Sequence, residues 1–168
     1  IRLTRLVRTL LPEDGEVAGL LALMLLQHSR HRARFDAEGD VILLEDQDRA
    51  RWDRAAIGRG VEALRRASET LHCNGTGWGW YTLQAALAEC HAVAPTADDT
   101  DWIRIVSLYD ALRRLAPSPV VDLNRAVAVA MADPATGPVE ALRLIDGIRG
   151  LAVLLVLCYD CLKIEPGS

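Results

Sequence analysis

Apolar residues recur at three- and four-residue intervals along almost the whole chain, and proline or glycine breaks the pattern between segments. That periodicity is the signature of amphipathic helices. Leu3, Leu6, Val7 and Leu10 mark a first helix that stops at Pro12. Asp14 is placed to cap the next, which is apolar nearly all round from Val17 to Leu26 and so belongs at the centre of the fold. Ile57, Val61, Leu64 and Leu71 mark a third helix. Gly58 and Gly60 lie inside it, each costing about 1 kcal/mol relative to alanine, and are expected to permit a close helix–helix approach. A glycine-rich loop from Cys73 to Gly79 follows.

Leu83, Leu87, Cys90 and Ala94 form the stripe of a fourth helix, ended near Pro95. Trp102, Ile105, Val106, Tyr109 and Leu112 form that of a fifth. In Pro117-Ser118-Pro119, Ser118 caps and Pro119 takes the first helical position, where its missing N–H is harmless. Val120, Leu123, Val127 and Met131 continue at helical spacing, with Asn124 among them expected to be buried and hydrogen-bonded. Leu142, Ile145 and Ile148 predict a further helix, and an apolar one is expected from about Leu151 to Leu162.

The period changes in one place. Asp36-Ala37-Glu38-Gly39-Asp40 is turn chemistry and Val41-Ile42-Leu43-Leu44 is a short β-prone run, so a small hairpin or extended excursion is expected near residues 35–44. The fold class is therefore all-α, built of antiparallel helical hairpins with that one excursion. From Asp101 onward, helices alternate with short turns in a way that resembles tetratricopeptide-type (TPR-like) packing, an α-α superhelix.

A net charge of −4 disfavours free nucleic acid as the primary ligand, because phosphate binding wants a basic excess. All but one of the cationic side chains are arginine, Lys163 being the exception. Arginine suits bidentate pairing with carboxylates and hence an ion-paired surface or a protein partner. The apolar runs Leu20–Leu26 and Leu151–Cys158 are too short to cross a bilayer, and no signal-peptide pattern heads the sequence. The expectation is a cytoplasmic domain without membrane contact, its four cysteines reduced. Opening on Ile1 within a helical pattern, the chain is expected to be a piece of a longer protein.

No phosphate loop, His-Glu-x-x-His or Gly-x-Ser-x-Gly occurs, and no residue is assigned a catalytic, cofactor-binding or metal role. Cys158-x-x-Cys161 has metal-like spacing but lacks a second pair at zinc-finger distance. The arginines of Gln27 to Arg34 read as the cationic end of a helix facing the acidic Glu45, Asp46 and Asp48. Asp98, Asp99 and Asp101 read as capping groups. Tyr81, Gln84, Ala88 and His91 share a helical face, which could be one wall of a peptide groove. It is better read as polar groups that satisfy loop carbonyls.

Four stretches together resemble a known family. They are Leu43 to Asp53; Tyr81 to Ala86 with Cys90-His91-Ala92; Thr100-Asp101-Trp102 with Leu108-Tyr109-Asp110; and Pro117 to Val121 with Leu123 to Ala128. Their order and content are similar to the C-terminal TPR-like extension of bacterial extracytoplasmic-function (ECF) RNA polymerase sigma factors. The resemblance covers about Leu3 to Gly150. It implies a helical regulatory domain over 1–150, its TPR-like part about 98–150, followed by an apolar helix and tail over 151–168. It further implies partners in the N-terminal sigma regions of the same polypeptide or in core RNA polymerase, promoter DNA being read only through those absent regions. The residues expected to meet a protein partner are Asp46, Gln47, Arg49 and Trp52, with the strip Tyr81, Gln84 and His91; tryptophan and arginine are favoured interface anchors. The other reading is a stand-alone helical-repeat scaffold that binds a peptide of an unrelated protein.

Overall fold

The computed structural model describes residues 1–133 and 135. These are all-α: α1 (Arg2–Leu10), α2 (Gly15–His28), α3 (Arg54–Cys73), α4 (Trp80–Val93), α5 (Trp102–Leu115) and α6 (Pro119–Ala132). The expected helices over 142–148 and 151–162, together with Cys158 and Cys161, lie outside the described residues.

Local chemistry starts most of these helices where the side chains demand it. Asp14 accepts from the Glu16 and Val17 N–H groups, Asp53 from Ala56, Asp101 from Arg104 and Ser118 from Val120. Each satisfies a backbone donor that the first turn leaves without a helical partner. Helix α4 begins differently. Its N-cap is Gly79, which has no side chain to offer, and the carboxylate of Glu16 arrives from α2 instead. Glu16 accepts from the N–H groups of Gly79, Tyr81 and Thr82 at 3.1, 2.8 and 3.3 Å, and from the Thr82 hydroxyl. A negative group at the positive end of the α4 dipole ties the two helices together.

The apolar helix α2 lies between α3 and α4, as its lack of a polar face requires. Small residues bring the backbones close. A Cβ added to Gly19 would fall 2.5 Å from Thr82 Oγ1 and 2.9 Å from the Thr82 nitrogen, and one added to Gly60 would meet Leu26 Cγ at 2.7 Å. Gly60 thus serves the close approach expected of it. Gly58 does not: it is exposed, with nothing within 4 Å of its Cβ position. Leu26 meets Gly60 while Gly15 meets Leu71, so α2 and α3 run antiparallel.

Ion pairs set the later hairpins. Glu89–Arg104 at 2.7 Å joins α4 to α5, and Asp110–Arg125 at 2.6 Å with Asp122–Arg113 at 3.0 Å joins α5 to α6 antiparallel. On α6, Val121, Leu123, Ala126 and Ala128 are buried, Leu123 as expected. Val120, Val127 and Met131 are exposed and Asn124 is only half-buried, against the expectation for that face. The main core gathers Leu64, Leu83, Leu87, Ile105, Leu108 and Leu112. Between α2 and α3 the excursion reduces to one antiparallel bridge, Phe35 to Val41, around a turn held by Asp36 and by Gly39 at φ 92°. No described helix is long and apolar enough to cross a membrane.

These contacts predict opposite outcomes for two neighbouring glycines. Gly58→Ala should raise stability to urea by about 0.5–1 kcal/mol through helix propensity, while Gly60→Ala should lower it by about 1–3 kcal/mol through overpacking. Glu16→Ala should also cost about 1–3 kcal/mol, by orphaning donors at the start of α4.

Candidate functional site

The irregular segment between α2 and α3 reaches across to the far end of α4. A carboxylate again begins the local order: Asp48 accepts from Ala50 N–H at 2.9 Å and starts a single 3₁₀ turn over Arg49–Arg51. That turn aims the Arg49 guanidinium at α4, where one nitrogen, Nη1, donates to the carbonyls of His91 at 2.8 Å and Ala94 at 2.9 Å. Carbonyls at a helix C-terminus have no helical N–H to accept from, and the negative end of the dipole favours a cation there. The guanidinium carbon also stands 4.5 Å from the centre of the Trp52 ring. Asp53 N–H donates to the Ser29 carbonyl at 2.8 Å, closing the segment against the end of α2.

Trp52 is 4% exposed and packs with Leu26, Ala33, Ile57 and Ala92 in a second core cluster. Gln47 is buried as well, its amide donating to the Ile42 carbonyl at 3.0 Å. This differs from the expectation that both would face a partner. The ring packs in the second core cluster and the amide donates within its own segment, while Gln47 Oε1 and Trp52 Nε1 are buried without a hydrogen-bond partner among the described residues. Asp46 and Tyr81 are exposed, Arg49 is committed to the two carbonyls, and Gln84 and His91 are half-buried. The strip on α4 is expected from the sequence to satisfy loop carbonyls; what meets at this end is instead the terminal carbonyls of α4 itself and the Arg49 guanidinium.

Three of the four quoted stretches therefore meet. Arg49 holds the α4 end, and Trp102, at the start of α5, sets its ring edge-on to His91 with centroids 5.4 Å apart. Two hollows flank this junction, with Leu44 and His91 bordering both. One is a broad groove of about 630 Å³ bordered by Glu45, Arg49, Asp98, Thr100 and Trp102. The other is a tighter cavity of about 210 Å³, with polar lining from Gln27, Arg30, Trp52, Gln84, His91 and Tyr109. Tyr81 borders neither.

Burial, reinforced by the nearby Arg30 and Arg49 charges, pulls the His91 imidazole down to about 4, and burial pushes the Tyr109 phenol up. At neutral pH both are uncharged. Among the described residues, no three histidine, cysteine or carboxylate groups gather as a metal site; Cys73 is exposed and Cys90 buried, both as free thiols. Asp101 caps α5 as capping chemistry predicts, whereas Asp99 holds the loop ahead of it, accepting from the Thr96 N–H and hydroxyl.

Residues 1–68 match the family described as Family of unknown function (DUF6596). The chain is 51% identical over 146 residues to Uncharacterized protein R00370 of Rhizobium meliloti (strain 1021), covering 87% of this chain and 33% of that protein. It thus spans about a third of the length of the curated relative it matches. No solved structure matches.

The His91 environment has a pH consequence. Unfolded, the ring titrates near 6.5; folded, near 4. Between those values the unfolded state binds the extra proton, so this contribution is complete above about 6.5 and is lost as pH falls toward 4. Between about pH 7 and pH 4.5 the wild type should lose about 1–2 kcal/mol more stability than His91→Gln, as read by urea denaturation.

Proposed function

We propose that this chain is a non-catalytic regulatory module of an ECF sigma factor in the bacterial cytoplasm. It acts by protein–protein contact with the sigma regions of its own polypeptide or with core RNA polymerase, and takes part in transcription initiation without reading promoter DNA itself. The observation that carries the contact reading is α1. Leu3, Leu6, Val7 and Leu10 fall at i, i+3, i+4 and i+7, the spacing of a helix that lays one face in a partner's groove. The bundle uses little of that face. Thr4 is the buried residue of α1, its hydroxyl on Met24 Sδ at 3.0 Å, whereas Leu3 is 72% and Leu10 70% exposed. A stripe of exposed leucines on an ordered helix marks an interaction surface more readily than a solvated one.

The chemistry of the junction supports a role other than turnover. A general acid or base works best with a pKa near ambient pH, and His91 and Tyr109 are shifted away from it in opposite directions. The convergence of three resemblance-bearing stretches on one end of the bundle supports treating them as a structural unit. The net charge of −4 suits a module whose partner, rather than itself, grips DNA.

The test mixes the domain with the sigma regions of its parent polypeptide, and separately with core RNA polymerase, in a calorimeter. Binding tighter than about 50 μM to one of them is expected, and Leu6→Asp with Leu10→Asp should weaken it at least about tenfold while leaving the melting temperature within a few degrees. Absence of binding to both at that concentration would contradict the proposal and favour a scaffold for an unrelated peptide.

A further inference from the structure

We infer that the groove at the α4–α5 junction receives α1 of a second copy of this chain, so that two copies pair reciprocally. Its lining is apolar and its border acidic. Leu43, Leu44, Trp102 and Met131 supply hydrocarbon, with Leu43 and Met131 exposed, while Glu45 and Asp98 stand at its edge on two different loops. Both are exposed, and neither carboxylate makes a hydrogen bond or ion pair among the described residues. Arg49 is the one cation among the described lining residues. It is spent on the α4 carbonyls, with Asp99 near enough to offset its charge. An open apolar groove edged by unpaired carboxylates fits an apolar helix that carries cations.

Helix α1 is such a helix. Leu3, Leu6 and Leu10 are exposed along one stripe, and Arg2, Arg5 and Arg8 accompany them with no carboxylate in the helix. Those guanidinium groups make no hydrogen bond or ion pair among the described residues. Going round the helix from the buried Thr4, the leucines come first and Arg2 and Arg5 beyond them, so cations flank the stripe on the side away from the bundle. One chain thus carries both halves of a complementary contact. The leucines meet the apolar lining, and the long arginine side chains reach the acidic edge.

Placement allows both contacts at once. Glu16, in the first turn of α2, reaches the first turn of α4, so those helices run parallel and their C-terminal ends share one end of the bundle. The groove lies there, beside Arg49 and His91. The N-terminal turn of α1 lies there too, with Thr4 on Met24 near the end of α2. A pair in which each copy lends α1 to the other's groove closes by two-fold symmetry and makes the contact twice. A short helix buries little area, which places the pair in the weak, salt-sensitive class. Pairing covers the stripe proposed to meet sigma regions or polymerase, so the two contacts compete. That consequence rests on the proposed function; the pairing itself does not.

Sedimentation of the whole chain at low salt tests this. The mass should rise toward that of two copies between about 10 μM and 1 mM, and added salt should lower it. Glu45→Arg with Asp98→Arg should weaken pairing at least about tenfold, and so should Arg2→Glu with Arg5→Glu, with helical circular dichroism unchanged in both. Mixing the two variants should restore pairing. Each reversed helix then faces a reversed groove and each native helix a native one, whereas either variant alone opposes like charges. Should one of them unfold, Leu3→Asp must keep the chain monomeric. A single-copy mass at every concentration, pairing that survives in any of these folded variants, or no recovery on mixing would overturn the inference. Neither sigma regions nor polymerase enters the experiment, so failure here leaves the proposed function standing.

Discussion

One arginine decides how the ends of this bundle are finished. The last carbonyls of α4 point out of the helix with no N–H to accept from, and Arg49 supplies two of them from a segment more than forty residues away in sequence. The irregular run between α2 and α3 thereby gains an anchor, Trp52 is carried into the core beneath it, and His91 and Trp102 are brought edge to face. The groove and the cavity are the spaces left on either side of that clasp.

The opposite end of the bundle uses the mirror-image solution. There the orphan groups are donors at the start of α4, and Glu16 on α2 satisfies three backbone N–H groups and a hydroxyl. A cation at the C-terminal end and an anion at the N-terminal end both complement the α4 dipole. Both come from outside α4, so the helix is pinned to its neighbours by the atoms that a lone helix would leave to water. Close contact at Gly19 and Gly60 then lets the apolar side chains between those two anchors interdigitate.

Much of this was legible in the residues. Asp14, Ser118 and Pro119 mark helix starts by local chemistry, and an all-apolar run such as Val17 to Leu26 has only one place to go. The turn residues Asp36 and Gly39 announced the excursion, though its β-prone run makes only one bridge. What could not be read depends on distance in sequence. Glu16 looks like an ordinary first-turn acid, and nothing local says that its acceptors serve α4. Trp52 and Gln47 sit in a segment without a period, where burial has no signature, so they read as surface anchors. On α6 the spacing of Val120, Leu123, Val127 and Met131 is genuinely helical. Of those four only Leu123 is buried, because the face turned inward is Val121, Leu123, Ala126 and Ala128. The spacing of Gly15 and Gly19 at i, i+4 was the available hint of a tight α2 interface.

The account rests on the clasp behaving as part of the bundle and not as a loop laid over it. Native-state amide hydrogen exchange tests that directly, through the N–H groups of Ile42 and Asp53, which donate to Arg34 and Ser29, compared with those in the last turn of α4. The account predicts that all of them exchange through one opening of similar free energy, and that Arg49→Ala lowers their protection together. Protection in α4 with free exchange at Asp53, or an Arg49→Ala variant that leaves the α4 end unchanged, would contradict it.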